Sequence, residues 1–153
     1  MGRNAGYLAM YVGLAVGATA ILVPEKPIDF ERDVIEKIRQ ARFRGFSHYM
    51  IVVAEGAGSA TEIAKKIHEA IDMEPRVTVL GHIQRGGAPT ARDRVNATKM
   101  GYLAVELLMA GKTNRIVCTH EGGFTDIDMD EGLASKKSMQ MMEVDVLSAM
   151  TGL

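Results

Sequence analysis

The run Tyr49-Met50-Ile51-Val52-Val53-Ala54 carries apolar side chains at successive positions, with no polar alternation. A strand with one wet face alternates apolar and polar residues. An uninterrupted apolar run fits a strand covered on both faces, as in a parallel sheet sandwiched by helices. Three other segments read as strands: Ala20-Ile21-Leu22-Val23, Arg76-Val77-Thr78-Val79-Leu80, and 115–119. Helical patterns separate them, so the expected fold class is α/β, a mostly parallel sheet with flanking helices.

The helical segments are legible from spacing and end signals. Residues 3–17 read as a buried helix. Asp29 is a candidate N-cap for a helix over 31–43 that places Val34, Ile38 and Ala41 on one face and stops at Gly45. A second amphipathic helix over 60–72 repeats Ile63, Ile67 and Ile71. Thr90 with Asp93 three residues on is a capping-box signal for a helix running to Gly111 through Val95, Tyr102, Val105 and Leu108. One or two helices are expected towards the C-terminus, where Met139, Met141 and Met142 fill gaps in a packed surface.

The first of these helices needs one check. Asn4 to Pro24 contains no charged side chain and includes Gly13 and Gly17 at a spacing used by packed membrane helices. The stretch is rich in Gly and Ala, however, and breaks at Gly17-Ala18-Thr19. A buried helix followed by a short strand accounts for it better than a membrane span. The net charge of -1 gives no reason to expect a surface for nucleic acid or anionic lipid. The one cysteine, Cys118, has no internal disulfide partner, which fits a reducing cytoplasm, and it reads as a small buried apolar residue.

Ligands of open α/β sheets bind beyond the carboxyl ends of the strands. Two such ends are polar here. The run 49–54 leads into Glu55-Gly56. The run 76–80 leads into Gly81-His82-Ile83-Gln84-Arg85-Gly86-Gly87-Ala88-Pro89-Thr90, directly before a helix. Glycines expose backbone N–H groups, and a helix N-terminus favours an anion. His82, Gln84 and Arg85 add side-chain donors, and Arg suits bidentate phosphate contact. Glu55 can accept hydrogen bonds from sugar hydroxyls. A phosphate-bearing ligand is the physical expectation, against the plainer alternative of a glycine-rich turn.

Leu80-Gly81-His82-Ile83-Gln84-Arg85-Gly86-Gly87-Ala88-Pro89-Thr90-Ala91 with Asp93-Arg94 resembles the sugar-phosphate loop of bacterial 6-phosphofructokinases. Met1-Gly2-Arg3-Asn4-Ala5-Gly6-Tyr7-Leu8-Ala9 and Val52-Val53-Ala54-Glu55-Gly56 resemble two further motifs of that family, in matching order and spacing. The resemblance runs from Met1 to about Gly111 and thins afterwards. It implies transfer of the ATP γ-phosphoryl group to the 1-hydroxyl of fructose 6-phosphate, a glycolytic step that uses magnesium.

By that resemblance, Met1, Gly2 and Arg3 lie along the substrate, with Arg3 near the transferred phosphoryl group in a catalytic role. Glu55 binds sugar hydroxyls. His82 and Arg85 hold the 6-phosphate, helped by Gln84 and the loop backbone at Ile83. Arg76 reaches the phosphate in a neighbouring subunit. Arginines neutralise phosphate charge, and phosphoryl transfer depends on positioning and electrostatics. The family's nucleotide loop, magnesium-binding acid and aspartate base lie upstream of the Met-Gly-Arg motif. The 153 residues are therefore expected to form the C-terminal half, inactive alone, with no metal ligand of their own. The expected division is 1–83 in the sugar-phosphate and effector domain, 84–135 returning to the first domain, and 136–153 as a helical tail.

The family's effector site for ADP or phosphoenolpyruvate matches at Gly17, Arg44 and His48. It departs at Thr19, where an acidic magnesium contact is usual, and at Phe46 and Ser47, where lysines are frequent. These changes should weaken nucleotide binding and put allosteric control in doubt. The resemblance implies a homotetrameric enzyme, with self-association expected for the chain alone. Two alternatives stay open: a non-catalytic sugar-phosphate-binding or assembly module, and a pyrophosphate-dependent relative. Asp126-Ile127-Asp128-Met129-Asp130 is not a calcium loop, because Glu131 stands where glycine is needed and Lys137 where a bidentate Glu is needed. It reads as a solvated acidic turn before a helix.

Overall fold

The computed structural model describes residues 3–135, together with Val146 and Ala149. The expected tail over 136–153, with its three methionines, otherwise lies outside the described residues. These residues divide into two compact units, the chain passing from the first to the second after Arg85.

In the first unit, α1 (Tyr7–Ala15) leads into β1 (Ala20–Leu22), and α2 (Glu36–Phe43) leads into β2 (Ile51–Val53). β1 and β2 pair in parallel, with Ala20 opposite Ile51 and Leu22 opposite Val53. α3 (Ala60–Ile71) follows a short 3₁₀ turn at Glu55–Ala57. The fold is thus α/β with a parallel sheet and flanking helices. Its core is Leu22, Val34, Ile35, Ile38 and Ile67, with Phe30, Tyr49, Ile51, Val53, Ile63 and Ile71 packed around it. The spacing of 34, 38 and 41 and of 63, 67 and 71 brings both helical stripes onto the sheet, as the sequence pattern requires.

Asp29 does cap its helix: its carboxylate accepts the Arg32 N–H at 3.1 Å, and its own N–H donates to Asp33 at 2.9 Å. The first turn behind that cap, Glu31–Ile35, is wound as a π-helical turn, which the spacing does not announce. α1 is shorter than expected and only one side of it is buried. Met10 is covered, whereas Leu8, Tyr11, Val12 and Val16 are exposed. Gly13 is also buried, because a methyl group there would overlap Ile21 of β1. Among the described residues no helix is long and apolar enough to cross a membrane.

The expected strand at Arg76–Leu80 is not formed. The segment has no ladder partner among the described residues, and Val79 and Leu80 are exposed. A β-favouring run needs a neighbouring strand to satisfy its backbone and cover its side chains, and here neither is met. It ends in a 3₁₀ turn, Gly81–Arg85.

The second unit opens with α4 (Ala91–Met109) and continues through β3 (Arg115–His120), β4 (Gly123–Asp128) and α5 (Met129–Ala134). β3 and β4 form an antiparallel hairpin across a tight turn at Glu121-Gly122. The sequence reading assigned 126–130 to an acidic turn. Instead Asp126 is a strand residue whose carboxylate accepts from Arg115 Nε at 2.6 Å, and Asp128 caps α5 by accepting from Asp130 N at 2.9 Å. Cys118 lies on β3, half-buried rather than fully covered. The face of α4 expected to be apolar and packed is also revised: Val95, Tyr102, Val105 and Leu108 are exposed, and Leu107 is the buried position.

Candidate functional site

Parallel pairing fixes which residues meet at the carboxyl end of the sheet. Ala54 N–H donates to Leu22 O at 2.9 Å, so the two chains leave the sheet side by side, one into Val23-Pro24 and the other into Glu55-Gly56. The 3₁₀ turn at Glu55–Ala57 then reverses the second chain, held by Ala57 N–H donating to Ala54 O at 2.9 Å. Arg3 comes to this place from the segment before α1. Its Nε lies 3.1 Å from Glu55 Oε1, and the two side chains are 81% and 72% exposed. The entry to α1 is tied to the same end of the sheet, since Gly6 N–H donates to Glu25 Oε1 at 2.8 Å.

A guanidinium and a carboxylate this exposed form a pair worth little on its own. Its chemical interest is that both partners can be released at small cost to a ligand. The carboxylate can accept from hydroxyls while the guanidinium faces an anion.

The side chains of His82, Gln84 and Arg85 lie in the same unit on the 3₁₀ turn Gly81–Arg85, all exposed. Gly81 and Gly86 flank the turn at φ +56 and +85, the left-handed region where a Cβ is costly. Ile83 N–H donates to Leu80 O at 3.3 Å, and the Ile83 side chain faces solvent. Arg76 is exposed in the extended segment before the turn. Among the described residues, no hydrogen bond or ion pair engages the side chains of Arg76, His82, Gln84 or Arg85. Their donors are available to an anion, and none of them is hydrogen-bonded to Arg3 or Glu55. Met1 and Gly2 lie outside the described residues.

In the second unit, Thr90 and Asp93 form the full capping box. Asp93 N–H donates to Thr90 Oγ1 at 3.3 Å, and Thr90 N–H donates to Asp93 Oδ2 at 2.8 Å. The Thr90 hydroxyl also donates to that carboxylate at 2.8 Å. These hydrogen bonds from Thr90, side chain first and backbone second, hold the Asp93 carboxyl below the usual aspartate range. This modifies the sequence expectation for the helix N-terminus. A built-in carboxylate already sits there and answers part of the helix dipole.

The positions that resemble the family's effector site lie at the opposite, amino end of the sheet. Gly17 precedes β1 at φ +62, and Arg44 and His48, both exposed, precede β2. Thr19 is buried, and its hydroxyl accepts Met50 N–H at 3.3 Å. It is built into the strand pairing rather than presented to a ligand.

The match to known proteins decides what this arrangement belongs to. The model of the family described as Phosphofructokinase matches residues 1–108. The chain belongs to the phosphofructokinase family. It is 43% identical over 151 residues to an ATP-dependent 6-phosphofructokinase of Clostridium botulinum, covering 99% of this chain and 47% of that protein. It is 51% identical over 139 residues to one from Bacillus thuringiensis, covering 91% of this chain and 43% of the relative. The chain thus spans about half the length of the curated phosphofructokinases it matches. Among solved structures, the phosphofructokinase of Pichia pastoris in the T-state superposes with a TM-score of 0.77 at 28% identity, over 99% of this chain and 18% of that one. That of Saccharomyces cerevisiae gives 0.78 at 28% identity, over 99% and 21%.

Sequence reasoning picks out Glu55 and the 82–85 loop from their chemistry after strand-like runs, and Arg3 by resemblance to this family. It missed Gly56 as a residue with its own job, although the Glu-Gly pair at a strand end is visible. It also missed the Arg115–Asp126 pair, whose signal was two strand-compatible runs joined by Glu121-Gly122-Gly123.

Proposed function

We propose that this chain supplies the sugar-phosphate side of an ATP-dependent 6-phosphofructokinase, as its C-terminal half. The complete enzyme moves the γ-phosphoryl group of ATP onto the 1-hydroxyl of fructose 6-phosphate. The observation that carries the reading is the Arg3–Glu55 pair, 3.1 Å apart at the carboxyl end of a parallel strand in a chain of this family. Glu55 accepts from the sugar hydroxyls and orients the ring. Arg3, released from Glu55, faces the transferred phosphoryl group and neutralises charge that grows as the group moves. His82, Gln84, Arg85 and the backbone at Ile83 hold the 6-phosphate, and Arg76 serves the phosphate of a neighbouring subunit.

Magnesium accompanies the nucleotide in this reading. The described residues include no group of three or more His, Cys, Asp or Glu side chains that could hold a metal. The 153 residues alone are expected to bind the sugar phosphate without turning it over. Exposed apolar side chains on α1 (Leu8, Tyr11, Val12) support self-association, checked by light scattering across concentration.

The test is calorimetric titration of the purified chain with fructose 6-phosphate and with fructose, beside a coupled assay for fructose 1,6-bisphosphate with ATP or pyrophosphate. Binding of the phosphate ester but not of the free sugar, with no turnover, is the expected result. Equal response to both sugars would remove the sugar-phosphate assignment.

A further inference from the structure

Gly56 stands where the Arg3–Asn4 backbone and the Pro24 ring close on the Glu55–Ala57 turn. A Cβ built there would lie 2.9 Å from the carbonyl oxygen of Arg3, 3.0 Å from Asn4 Cα and 3.2 Å from Pro24 Cγ. The first two are backbone atoms, which cannot swing aside as the end of a flexible side chain could. Pro24 is a ring with few alternatives. No left-handed φ accounts for this glycine, because Gly56 is not among the positive-φ residues. What the position requires is the missing side chain.

We propose that Gly56 is a positioning residue: its bare Cα lets the Arg3–Asn4 backbone lie against the Glu55–Ala57 turn. That approach sets the Arg3 guanidinium beside the Glu55 carboxylate. The inference rests on the reading of Arg3 and Glu55 given above for its consequence in binding, but its geometric part stands without it. A methyl group at 56 must push the Arg3–Asn4 backbone away from the turn that carries Glu55. Arg3 then loses its place relative to both Glu55 and the phosphoryl position. His82 and Arg85 sit on a separate turn, so their hold on the 6-phosphate is unaffected.

The experiment uses Gly56→Ala, Arg3→Ala and the double variant in the 153-residue chain, with Gly101→Ala as a control where nothing lies within 4 Å of the new methyl. Fructose 6-phosphate and fructose 1,6-bisphosphate are titrated into each, and the ratio of their affinities reports Arg3. Gly56→Ala is expected to lower the bisphosphate preference roughly tenfold, as losing one charge-assisted hydrogen bond would. Arg3→Ala should lower it as much, and the double variant no further. Additive losses, or an unchanged ratio in Gly56→Ala, overturn the proposal.

The geometric part is read without any ligand from the Arg3 Nε–H resonance. Gly56→Ala should move it towards the position it takes in Glu55→Gln, whereas a resonance left at the wild-type position also overturns the proposal. If the wild type binds neither sugar phosphate while the resonance moves as stated, Gly56 positions Arg3 and it is the sugar-phosphate reading that fails. Should Gly56→Ala not fold, Gly56→Ser at low temperature provides the same resonance, and wild-type behaviour there counts against the proposal.

Discussion

Replacing Glu55 by Gln separates binding from stability at the candidate site. The carboxylate and Arg3 Nε are 3.1 Å apart, but 72% and 81% of the two side chains is in water. At that separation two unit charges attract by only about 1 kcal/mol in water. Ordering two long side chains cancels much of that, so the pair is worth less than about 1 kcal/mol to the fold. Glu55→Gln should therefore shift the denaturant midpoint hardly at all. Binding is different. A carboxylate bonded to sugar hydroxyls makes charge-assisted hydrogen bonds worth about 1.5–3 kcal/mol, and the amide keeps an acceptor without the charge. The affinity for fructose 6-phosphate should fall roughly tenfold, towards the lower end of that range. Calorimetric titration and a urea melt on the same preparations make the comparison. A variant that melts several kcal/mol earlier would mean Glu55 is structural, and unchanged affinity in a stable variant would mean it does not touch the sugar.

Arg85→Ala should weaken fructose 6-phosphate binding by about 1.5–3 kcal/mol by calorimetry. Arg76→Ala should be silent unless the subunits assemble so that its side chain reaches a neighbour's phosphate. Ile35 is fully buried at the centre of the first unit, so Ile35→Ala should cost about 2–5 kcal/mol in a urea melt. Asp33 is held below the ordinary aspartate range, chiefly by its hydrogen bond from Arg32 and against its own partial burial. Its folded-state pKa is therefore depressed. The stability it contributes is complete above the ordinary aspartate pKa and disappears as pH falls through the lower folded value. Acid melts of Asp33→Asn should show a weaker loss over that window than the wild type, and identical profiles would refute the assignment.

How far the sequence carried the fold depended on whether each element is completed locally. α3 was legible from its isoleucine spacing and α4 from its capping box, each complete within one segment, although the apolar face expected for α4 is exposed. Ser59 accepts from Glu62 N–H at 3.5 Å, and Thr90 and Asp93 close a reciprocal box. β2 was legible because an uninterrupted apolar run favours a strand, although Ile51, Val52 and Val53 are half-buried rather than covered on both faces. The segment 76–80 has the same composition signal, but strand formation needs a partner, and composition does not say whether one is adjacent. β4 was obscured by its aspartates: Asp126 reads as solvated until Arg115, across the hairpin, supplies its charge partner at 2.6 Å. At the site, residue types were legible and distances were not. Arg3 and Glu55 belong to motifs far apart in the chain, and their meeting depends on the parallel register of β1 and β2 together with the close approach of the Arg3–Asn4 backbone to Gly56.

That register also separates the two sets of family positions found in the first unit. Arg3, Glu55 and Gly56 collect where the strands end, while Gly17, Arg44 and His48 collect where they begin. The strands are three residues long, so at about 3.3 Å per residue the two ends are roughly 10 Å apart. An event at one end can reach the other only by shifting the β1–β2 pair or the helices on it. The amino end is fastened: Thr19 N–H donates to Met50 O at 2.8 Å, and the Thr19 hydroxyl accepts Met50 N–H at 3.3 Å. The buried Thr19 hydroxyl carries no negative charge to offer a ligand and instead ties β1 to β2. The carboxyl end is fastened by backbone contact at Gly56 but carries an exposed, exchangeable ion pair beyond it. The contact at the carboxyl end that a ligand can exchange is therefore the Arg3–Glu55 pair, the two side chains the proposed chemistry needs to move.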